Sequence, residues 1–266
     1  MIAWVRVAFA GIIICLASLL LMPWQLLALR FDWRLRRYLP RYWHRIVCSS
    51  LGIRIHVHGS PDHRRPLMLC ANHSSWMDIL VLSAVADVAF IAKIEVGGWP
   101  IFGTLAKLQK SVFIVREEKR KTGQQASEIA SRMAAGEIVV LFPEGTTSDG
   151  NRLLEVKSSL FGAAAMAIPP AKGAFVAVQP VAVAYTRVQG LPMGKYHRPI
   201  AAWPGDVEMW PHLKEILRHG AIDVEVAFGD AIEYKKDSNR KAVSATIAQR
   251  INGMLVNMLR GRAPLT

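Results

Sequence analysis

Cysteine is scarce in this chain of 266 residues. The three that occur, Cys15, Cys48 and Cys70, lie far apart in the sequence. An odd number of thiols at this spacing excludes a disulfide framework and a cysteine-based zinc site. We therefore expect the thiols to lie in a reducing compartment.

Two common catalytic patterns are also missing. The chain has no Gly-x-Ser-x-Gly segment, which excludes the nucleophile elbow of a serine hydrolase. Gly145 and Gly150 have the separation of a P-loop, but Asn151 occupies the position that requires lysine. His56 and His58 share a strand face without a cysteine or acidic cluster beside them, so we predict no metal site.

Charged residues are absent from Val7 to Leu29, a run of 23 residues. A helix needs about 20 apolar residues to cross a bilayer, so the run predicts a membrane-associated helix. Pro23 and Trp24 interrupt it, which leaves a re-entrant or in-plane helix open as well. A cleaved signal peptide and a buried soluble helix are the alternatives, and the arginine-rich segment that follows opposes export.

The net charge of +13 is concentrated just after this run. Six arginines occur between positions 30 and 45, mixed with tryptophan and tyrosine, and only Asp32 opposes them. This mixture is typical of a helix at anionic lipid headgroups, although a core-facing stripe with a solvated basic side fits equally well. We expect an anionic membrane surface as partner and no nucleic acid, because no nucleic-acid-binding module is recognisable.

From residue 51 onward, short apolar strands alternate with helices, without a repeat or a linker. The pattern predicts strands at 53–59, 67–71, 88–92, 112–115, 138–142, 175–185 and 222–228. It predicts helices at 31–50, 75–84, 121–135, 158–167 and 242–259. We therefore expect an α/β fold, with membrane-associated helices at 1–50 and one catalytic domain at 51–266.

His73 and Asp78 are the first candidates for chemistry, within the segment NHSSWMD. His73 follows a buried strand, and Asp78 lies at the start of the next helix. Its carboxylate can turn back to hold one imidazole nitrogen, which leaves the other nitrogen as a base. A strand-end histidine and a helix cap formed by Ser75 and Asp78 explain the same residues without chemistry.

The segment FPEGTTSDG, from Phe142 to Gly150, is the second candidate. A strand ends there in a carboxylate, a glycine and several hydroxyls, which can form an anion-binding turn or an ordinary one. Two cations, Lys93 and Arg116, each follow a strand and are candidates for contact with a phosphate. Two solvated charges are the simpler interpretation of that pair.

Taken in order, these segments resemble the lysophosphatidic acid acyltransferase family over roughly residues 50–230. His73 and Asp78 match its His-x4-Asp motif, and the stretch from Phe90 to Arg116 matches its second block. FPEGTTS matches the third block and VQPVA, at 178–182, the fourth. The resemblance implies a single mixed β-sheet flanked by helices, preceded by a membrane-associated helical element.

The same resemblance implies a mechanism without a cofactor. His73, oriented by Asp78, would take the proton of a lysolipid hydroxyl, which would attack the thioester of acyl-CoA or acyl-carrier protein. Lys93 and Arg116 would meet an anionic headgroup. The acceptor site would be shaped by Glu144, Gly145 and Thr146. The implied location is the cell inner membrane, with the catalytic domain on its cytoplasmic side.

The acceptor implied first is 1-acyl-glycerol-3-phosphate, with phosphatidic acid as product. Two positions depart from the usual motifs, since arginine is common where Thr147 occurs and aspartate where Val115 occurs. FPEGTTSDG followed by KSSLFGAA also resembles bacterial members that acylate lyso-ornithine lipid, which is the second candidate. A non-catalytic membrane-binding protein that keeps the fold is the third.

Overall fold

The computed structural model describes residues 2–100, 102–114, 122–205 and 207–264. In these residues the helices are α1 (Ile2–Arg30), α2 (Leu35–Leu51), α3 (Met77–Val85), α4 (Phe102–Leu108), α5 (Thr122–Ala134), α6 (Gly162–Met166), α7 (Met209–His219) and α8 (Arg240–Leu259). The strands are β1 (Ile53–His58), β2 (Leu67–Ala71), β3 (Val88–Lys93), β4 (Val112–Ile114), β5 (Ile138–Leu141), β6 (Phe175–Val188), β7 (Leu191–Pro192), β8 (Ile222–Phe228) and β9 (Ile232–Lys235).

The strands form one mixed sheet in the order β1-β8-β6-β2-β5-β3-β4, and β7 and β9 pair with β6. Strands β6, β2, β5, β3 and β4 are parallel to their neighbours in that series, whereas β6 is antiparallel to β7, β8 and β9. The expected mixed sheet flanked by helices is therefore confirmed. Parallel strands bring their carboxyl ends to the same edge of a sheet, where ligands bind in α/β folds.

Strand β2 lies at the centre of the sheet and is buried on both faces. Leu67, Leu69 and Ala71 pack with residues of α2, α3 and α7. Met68 and Cys70 face the opposite side and pack with residues of α5, α6 and α8. A strand covered on both faces is apolar throughout, which explains why LMLCA shows no alternation with polar residues.

Helix α1 is continuous through Pro23, so the expected interruption does not occur. By length and composition it can cross a membrane. One stripe of α1 nevertheless faces the protein, and its buried members are Ala10, Ala17, Gln25 and Ala28. The other faces expose large apolar side chains, among them Trp4, Phe9, Ile12, Leu16, Leu19, Leu20 and Trp24.

Side-chain hydrogen bonds connect α1 to the rest of the protein near both ends of the helix. The Arg6 guanidinium donates to the carbonyls of Leu217 and His219 at the end of α7. The Gln25 amide donates to the carbonyl of Leu108 at 2.7 Å and to that of Arg36 at 3.1 Å. Since these contacts lie on opposite ends of α1, the helix runs along the protein instead of projecting from it.

Helix α2 combines the two arrangements that its sequence allowed. Val47, Cys48 and Leu51 belong to the core cluster beneath the sheet. Tyr38 and Tyr42 remain exposed, as expected of side chains at a headgroup interface. The helix therefore supplies core contacts on one side and a basic, aromatic surface on the other.

Candidate active site

His73 and Asp78 lie together, as the sequence analysis expected. Nδ1 of His73 is 2.9 Å from Oδ2 of Asp78. The Asp78 side chain is fully buried in the first turn of α3, while that of His73 is 18% exposed. The imidazole stacks on Phe142, with ring centroids 4.0 Å apart. In the described part of the chain, Nε2 of His73 makes no hydrogen bond.

Both oxygens of the Asp78 carboxylate accept hydrogen bonds. Oδ2 also accepts hydrogen bonds from the backbone N–H groups of Ser74 at 2.7 Å and Ser75 at 2.9 Å. Oδ1 accepts from the hydroxyl of Tyr185 at 2.8 Å. Burial, and then the negative charge of Asp78, raise the pKa of Tyr185 well above its ordinary value, so the phenol keeps its proton and is the donor. Four donors hold this carboxylate in one orientation.

The start of α3 and the His73–Asp78 pair use the same carboxylate. The bond from the Ser75 N–H to Asp78 is like half of a capping box, since a side chain of the first turn reaches back to a residue two positions before Met77. Ser75 Oγ accepts from the N–H of Met77 at 3.3 Å instead of completing the box. Asp78 thus caps α3 and holds the imidazole at once.

The FPEGTTS loop forms hydrogen bonds with both backbone groups of His73, its N–H and its carbonyl. Oε1 of Glu144 accepts from the His73 N–H at 2.6 Å. The N–H of Ser148 donates to the His73 carbonyl at 2.9 Å. These two bonds join the carboxyl ends of β2 and β5, so the first and third motifs form one structure.

Glu144 is buried, and both of its carboxylate oxygens accept hydrogen bonds from backbone N–H groups. Its second oxygen, Oε2, accepts from the N–H of Leu154 at 2.7 Å, and the residue is 1% exposed. Burial, the largest cause, raises the pKa of Glu144 to about 7, although the N–H groups of His73 and Leu154 oppose the shift. Both oxygens therefore hold backbone in place.

The other residues expected at the substrate are placed differently. Gly145 has φ +74°, a conformation that glycine adopts readily, and its N–H donates to the carbonyl of Phe142 at 3.2 Å. Thr146 is exposed on the same turn. Lys93 is the last residue of β3 and pairs with Ile114 of β4, but its side chain is outside the described atoms. Arg116 is also outside the described residues, so both cations stay predictions.

Two residues of the site were not singled out from the sequence. Tyr185 lies 107 positions beyond Asp78 in an apolar strand, where nothing in the local pattern indicates a contact with a carboxylate. Asn72 is 2% exposed, and its side chain donates to the carbonyl of Val183 at 2.9 Å and accepts from the Val183 N–H at 2.7 Å. Its position next to His73 at the end of β2 is the signal that could have identified it.

An imidazole held at one nitrogen and open at the other can remove a proton from a hydroxyl group. A hydroxyl activated in this way can attack an acyl group directly. The mixed sheet and this paired site at its carboxyl edge are together the arrangement of an acyltransferase.

Comparison with known proteins agrees with this class. Residues 54–184 match the family model described as Acyltransferase. The chain is 60% identical over 263 residues to the lyso-ornithine lipid O-acyltransferase of Rhizobium meliloti (strain 1021), covering 99% of this chain and 90% of that protein. It is 51% identical over 262 residues to the lyso-ornithine lipid O-acyltransferase of Brucella abortus (strain 2308), covering 98% of each.

More distant matches share the fold or a shorter segment. The 1-acyl-sn-glycerol-3-phosphate acyltransferase of Neisseria meningitidis (serogroup B, strain MC58) is 36% identical over 119 residues, 44% of this chain and 47% of that protein. The crystal structure of the acyltransferase PlsC from Thermotoga maritima superposes with a TM-score of 0.67 at 20% identity, covering 98% and 96% of the two chains. The chain belongs to the acyltransferase family, and it is an enzyme of the lysolipid O-acyltransferase type.

Proposed function

We propose that the acceptor is lyso-ornithine lipid and that the enzyme acylates its free hydroxyl. Two relatives named as lyso-ornithine lipid O-acyltransferases support this choice. Both align over nearly the whole chain, one at 60% and the other at 51% identity. The relative that acts on 1-acyl-sn-glycerol-3-phosphate aligns over less than half of the chain. The motifs alone placed lysophosphatidic acid first, and the full-length relatives reverse that order.

The contact of 2.9 Å between His73 and Asp78 carries the mechanism. Nε2 of His73 takes the proton of the acceptor hydroxyl while that oxygen attacks the thioester carbonyl of acyl-CoA or acyl-carrier protein. The tetrahedral intermediate collapses, the C–S bond breaks, and the thiolate leaves with the proton that His73 carried. Asp78 fixes the tautomer of His73 and stabilises the imidazolium between these steps.

Glu144, Gly145 and Thr146 have separate roles in this scheme. Glu144 positions the backbone of His73, since both of its oxygens are used by N–H groups of the chain. Gly145 forms the turn that places Thr146 at the surface beside the acceptor. Lys93 and Arg116 meet the carboxylate of the ornithine headgroup, which a cation binds as it would bind a phosphate.

We place α1 in the plane of the cytoplasmic leaflet of the inner membrane. Its stripe from Arg6 to Ala28 lies against the protein, and α2 runs beside it. Helix α2 carries four arginines, Arg36, Arg37, Arg41 and Arg45. A spanning α1 would carry these arginines into hydrocarbon, at about 2.5–3.5 kcal/mol each on insertion scales. An in-plane helix buries only its exposed apolar side and keeps His73 close to the lipid–water boundary.

A substrate panel tests the acceptor. Purified enzyme in neutral micelles is offered lyso-ornithine lipid and 1-acyl-glycerol-3-phosphate, each with acyl-CoA and with acyl-carrier protein. We expect a higher kcat/KM for lyso-ornithine lipid with whichever donor is used. A preference for 1-acyl-glycerol-3-phosphate would contradict the proposed acceptor and identify that lipid as the better substrate.

A second experiment tests the base. His73→Ala is expected to lower kcat by about 10²- to 10⁴-fold, the usual contribution of a general base. His56→Ala is the matched control, because His56 also contacts a carboxylate, Asp223, at 2.9 Å, but on β1 and away from the site. Equal rates for His73→Ala and the wild type would remove the proposed base.

A further inference from the structure

A cavity of about 150 Å³ lies at the edge of the sheet opposite to His73. Asp87 and Glu137, which immediately precede β3 and β5, contribute to its wall, as does Arg65, two residues before β2. His73 follows the other end of β2, so the five residues of that strand separate the two places. At about 3.3 Å per residue, the separation is about 16 Å. The cavity is therefore outside the catalytic site.

The wall of this cavity carries a large excess of positive charge. Six of its side chains are cationic and two are carboxylates; the cations are Arg36, Arg37, Arg41, Arg65, Lys110 and Arg132, and the acids are Asp87 and Glu137. Glu137 contacts Arg132 at 2.7 Å and Arg36 at 3.9 Å, and Arg36 also forms an ion pair with Asp32. Among the described residues, the other four cations form no ion pair, because no carboxylate lies within 4.0 Å of any of them.

The carboxylates compensate this charge only in part, although Asp87 interacts electrostatically with Arg37 and Arg41. Nε of Arg36 is buried and has no hydrogen-bond partner among the described residues. Lys110 has φ +56° just after the end of α4, where the Ser111 N–H donates to the carbonyl of Ala106 at 2.9 Å, as at many helix C-termini. The Lys110 carbonyl accepts from Arg132, and the Lys110 side chain lines the cavity. Burial, and then the charge of Arg36, lower the pKa of Lys110, while Glu137 opposes this shift.

An apolar crevice of about 50 Å³ adjoins the basic cavity. It lies between α1, α2 and α4, and its apolar lining includes Leu21, Met22, Leu39, Trp43, Leu105 and Leu108. Pro40 and Gln109 line both cavities, so the two share a wall. The basic cavity thus continues into the apolar crevice, directly beneath α1, the helix that we place in the membrane.

We propose that the two cavities together bind one anionic phospholipid at a site separate from the catalytic one. Its phosphate lies in the basic cavity, held chiefly by Arg37, Arg41 and Lys110. The first part of one acyl chain enters the crevice, and the remainder continues along α1 into the membrane. The occupant would link α1, α2 and α4 to the amino ends of the central strands. This site goes beyond the proposed function and does not depend on which acceptor is acylated.

Ligand-dependent unfolding tests the site in the full-length enzyme. Protein in neutral dodecyl maltoside micelles receives phosphatidylglycerol, phosphatidylcholine or inorganic phosphate, and the unfolding midpoint is followed, with native mass spectrometry to count retained lipid. We expect phosphatidylglycerol at 100 times its Kd to raise the midpoint by at least about 5 °C, with one molecule retained. Phosphatidylcholine has no net charge and is expected to give no shift. A shift from phosphate as large as that from phosphatidylglycerol would overturn the lipid assignment.

Two kinds of variant separate the basic end from the apolar end. Arg37→Gln/Arg41→Gln is expected to lose the shift from phosphatidylglycerol. Leu108→Trp keeps every charge but fills the crevice, so it is expected to lose the lipid shift and to keep any response to phosphate. Arg54→Gln/Arg240→Gln is the matched control, since it removes the same charge from exposed side chains without hydrogen bonds in the described chain.

Acyl transfer in neutral micelles is expected to be unchanged in all of these variants, which shows that they are folded and that the catalytic site is intact. A shift of wild-type size in Arg37→Gln/Arg41→Gln would overturn the proposed phosphate site. A wild-type lipid shift in both Leu108→Trp and Leu105→Trp would overturn the proposed position of the chain.

Discussion

The hydroxyl of Tyr185 donates a hydrogen bond of 2.8 Å to Oδ1 of Asp78, the carboxylate oxygen that His73 does not use. Tyr185 belongs to β6 and Asp78 to α3, so the bond joins the sheet to the helix that covers it. Both side chains are buried. The orientation of Asp78, and through it of His73, therefore depends on a residue far away in the sequence.

Tyr185→Phe removes this bond and changes little else. It leaves one oxygen of a buried carboxylate without its donor, at a cost of about 1–3 kcal/mol. We expect kcat to fall by about tenfold to hundredfold with a smaller change in KM, measured by steady-state acyl transfer. Tyr234→Phe is the control, because Tyr234 is also buried but has no hydrogen bond among the described residues. Similar rates for the two variants would mean that Tyr185 does not position Asp78.

The raised pKa of Glu144 predicts that the free energy of unfolding depends on pH. Burial raises its pKa from 4.5 to about 7, so the folded state favours the protonated form. A group with a raised pKa contributes stability that is complete below pH 4.5 and is lost as the pH rises through about 7. Glu144→Gln does not titrate. The difference in unfolding free energy, wild type minus variant, should therefore fall by about 3 kcal/mol across that window.

Urea unfolding in neutral micelles at several pH values measures this difference. Glu128→Gln serves as the control for the change in net charge, since Glu128 is exposed on α5. An equal fall for Glu128→Gln would mean that the change in net charge, and not the burial of Glu144, causes the effect. Parallel pH profiles for the wild type and Glu144→Gln would show that burial does not shift this carboxyl group.

Asn72 is expected to be essential for the position of His73. Its side chain pairs with both backbone groups of Val183, as a neighbouring strand would. Asn72→Leu leaves the N–H and the carbonyl of Val183 buried without partners, so we expect a loss of about 2–4 kcal/mol in unfolding free energy. Because His73 is the next residue, kcat should fall as well. Asn252→Leu, on the exposed side of α8, should change stability by no more than about 0.5 kcal/mol.

The central strands and the contact between His73 and Asp78 were predictable because their signals are local. Strands β2 and β8 were predicted at their observed bounds. The short apolar runs and the spacing from His73 to Asp78 are both readable within a few residues. The fold class followed from the alternation of strands with helices, and the mixed sheet from the resemblance of four short blocks.

Other parts were not predicted, for identifiable physical reasons. Helix α4 has only seven residues. Helix α7 carries Pro211 in its first turn, a position that a helix tolerates but that conceals its amphipathic pattern. Strand β9 is four residues long and pairs only with β6 in the described sheet. The contacts of Tyr185 and Asn72 depend on β6 returning beside β2, which no local pattern records.

The position of α1 in the membrane can be measured with a cysteine that the chain already has. Cys15 lies near the middle of α1 and is exposed, whereas Cys48 and Cys70 are buried. A thiol-reactive, environment-sensitive fluorophore should therefore label Cys15 alone, and Cys15→Ser should remain unlabelled. In vesicles that contain brominated lipids, quenching reports the depth of the fluorophore.

An in-plane helix places Cys15 about 5–10 Å below the headgroup boundary, whereas a spanning helix places it near the centre of a core about 30 Å thick. We expect lipids brominated near the headgroup to quench more strongly than lipids brominated near the chain ends. The reverse order would mean that α1 crosses the bilayer. In that case the contacts of Arg6 with α7 and of Gln25 with α4 could not both persist, because they hold opposite ends of α1 against one water-exposed domain.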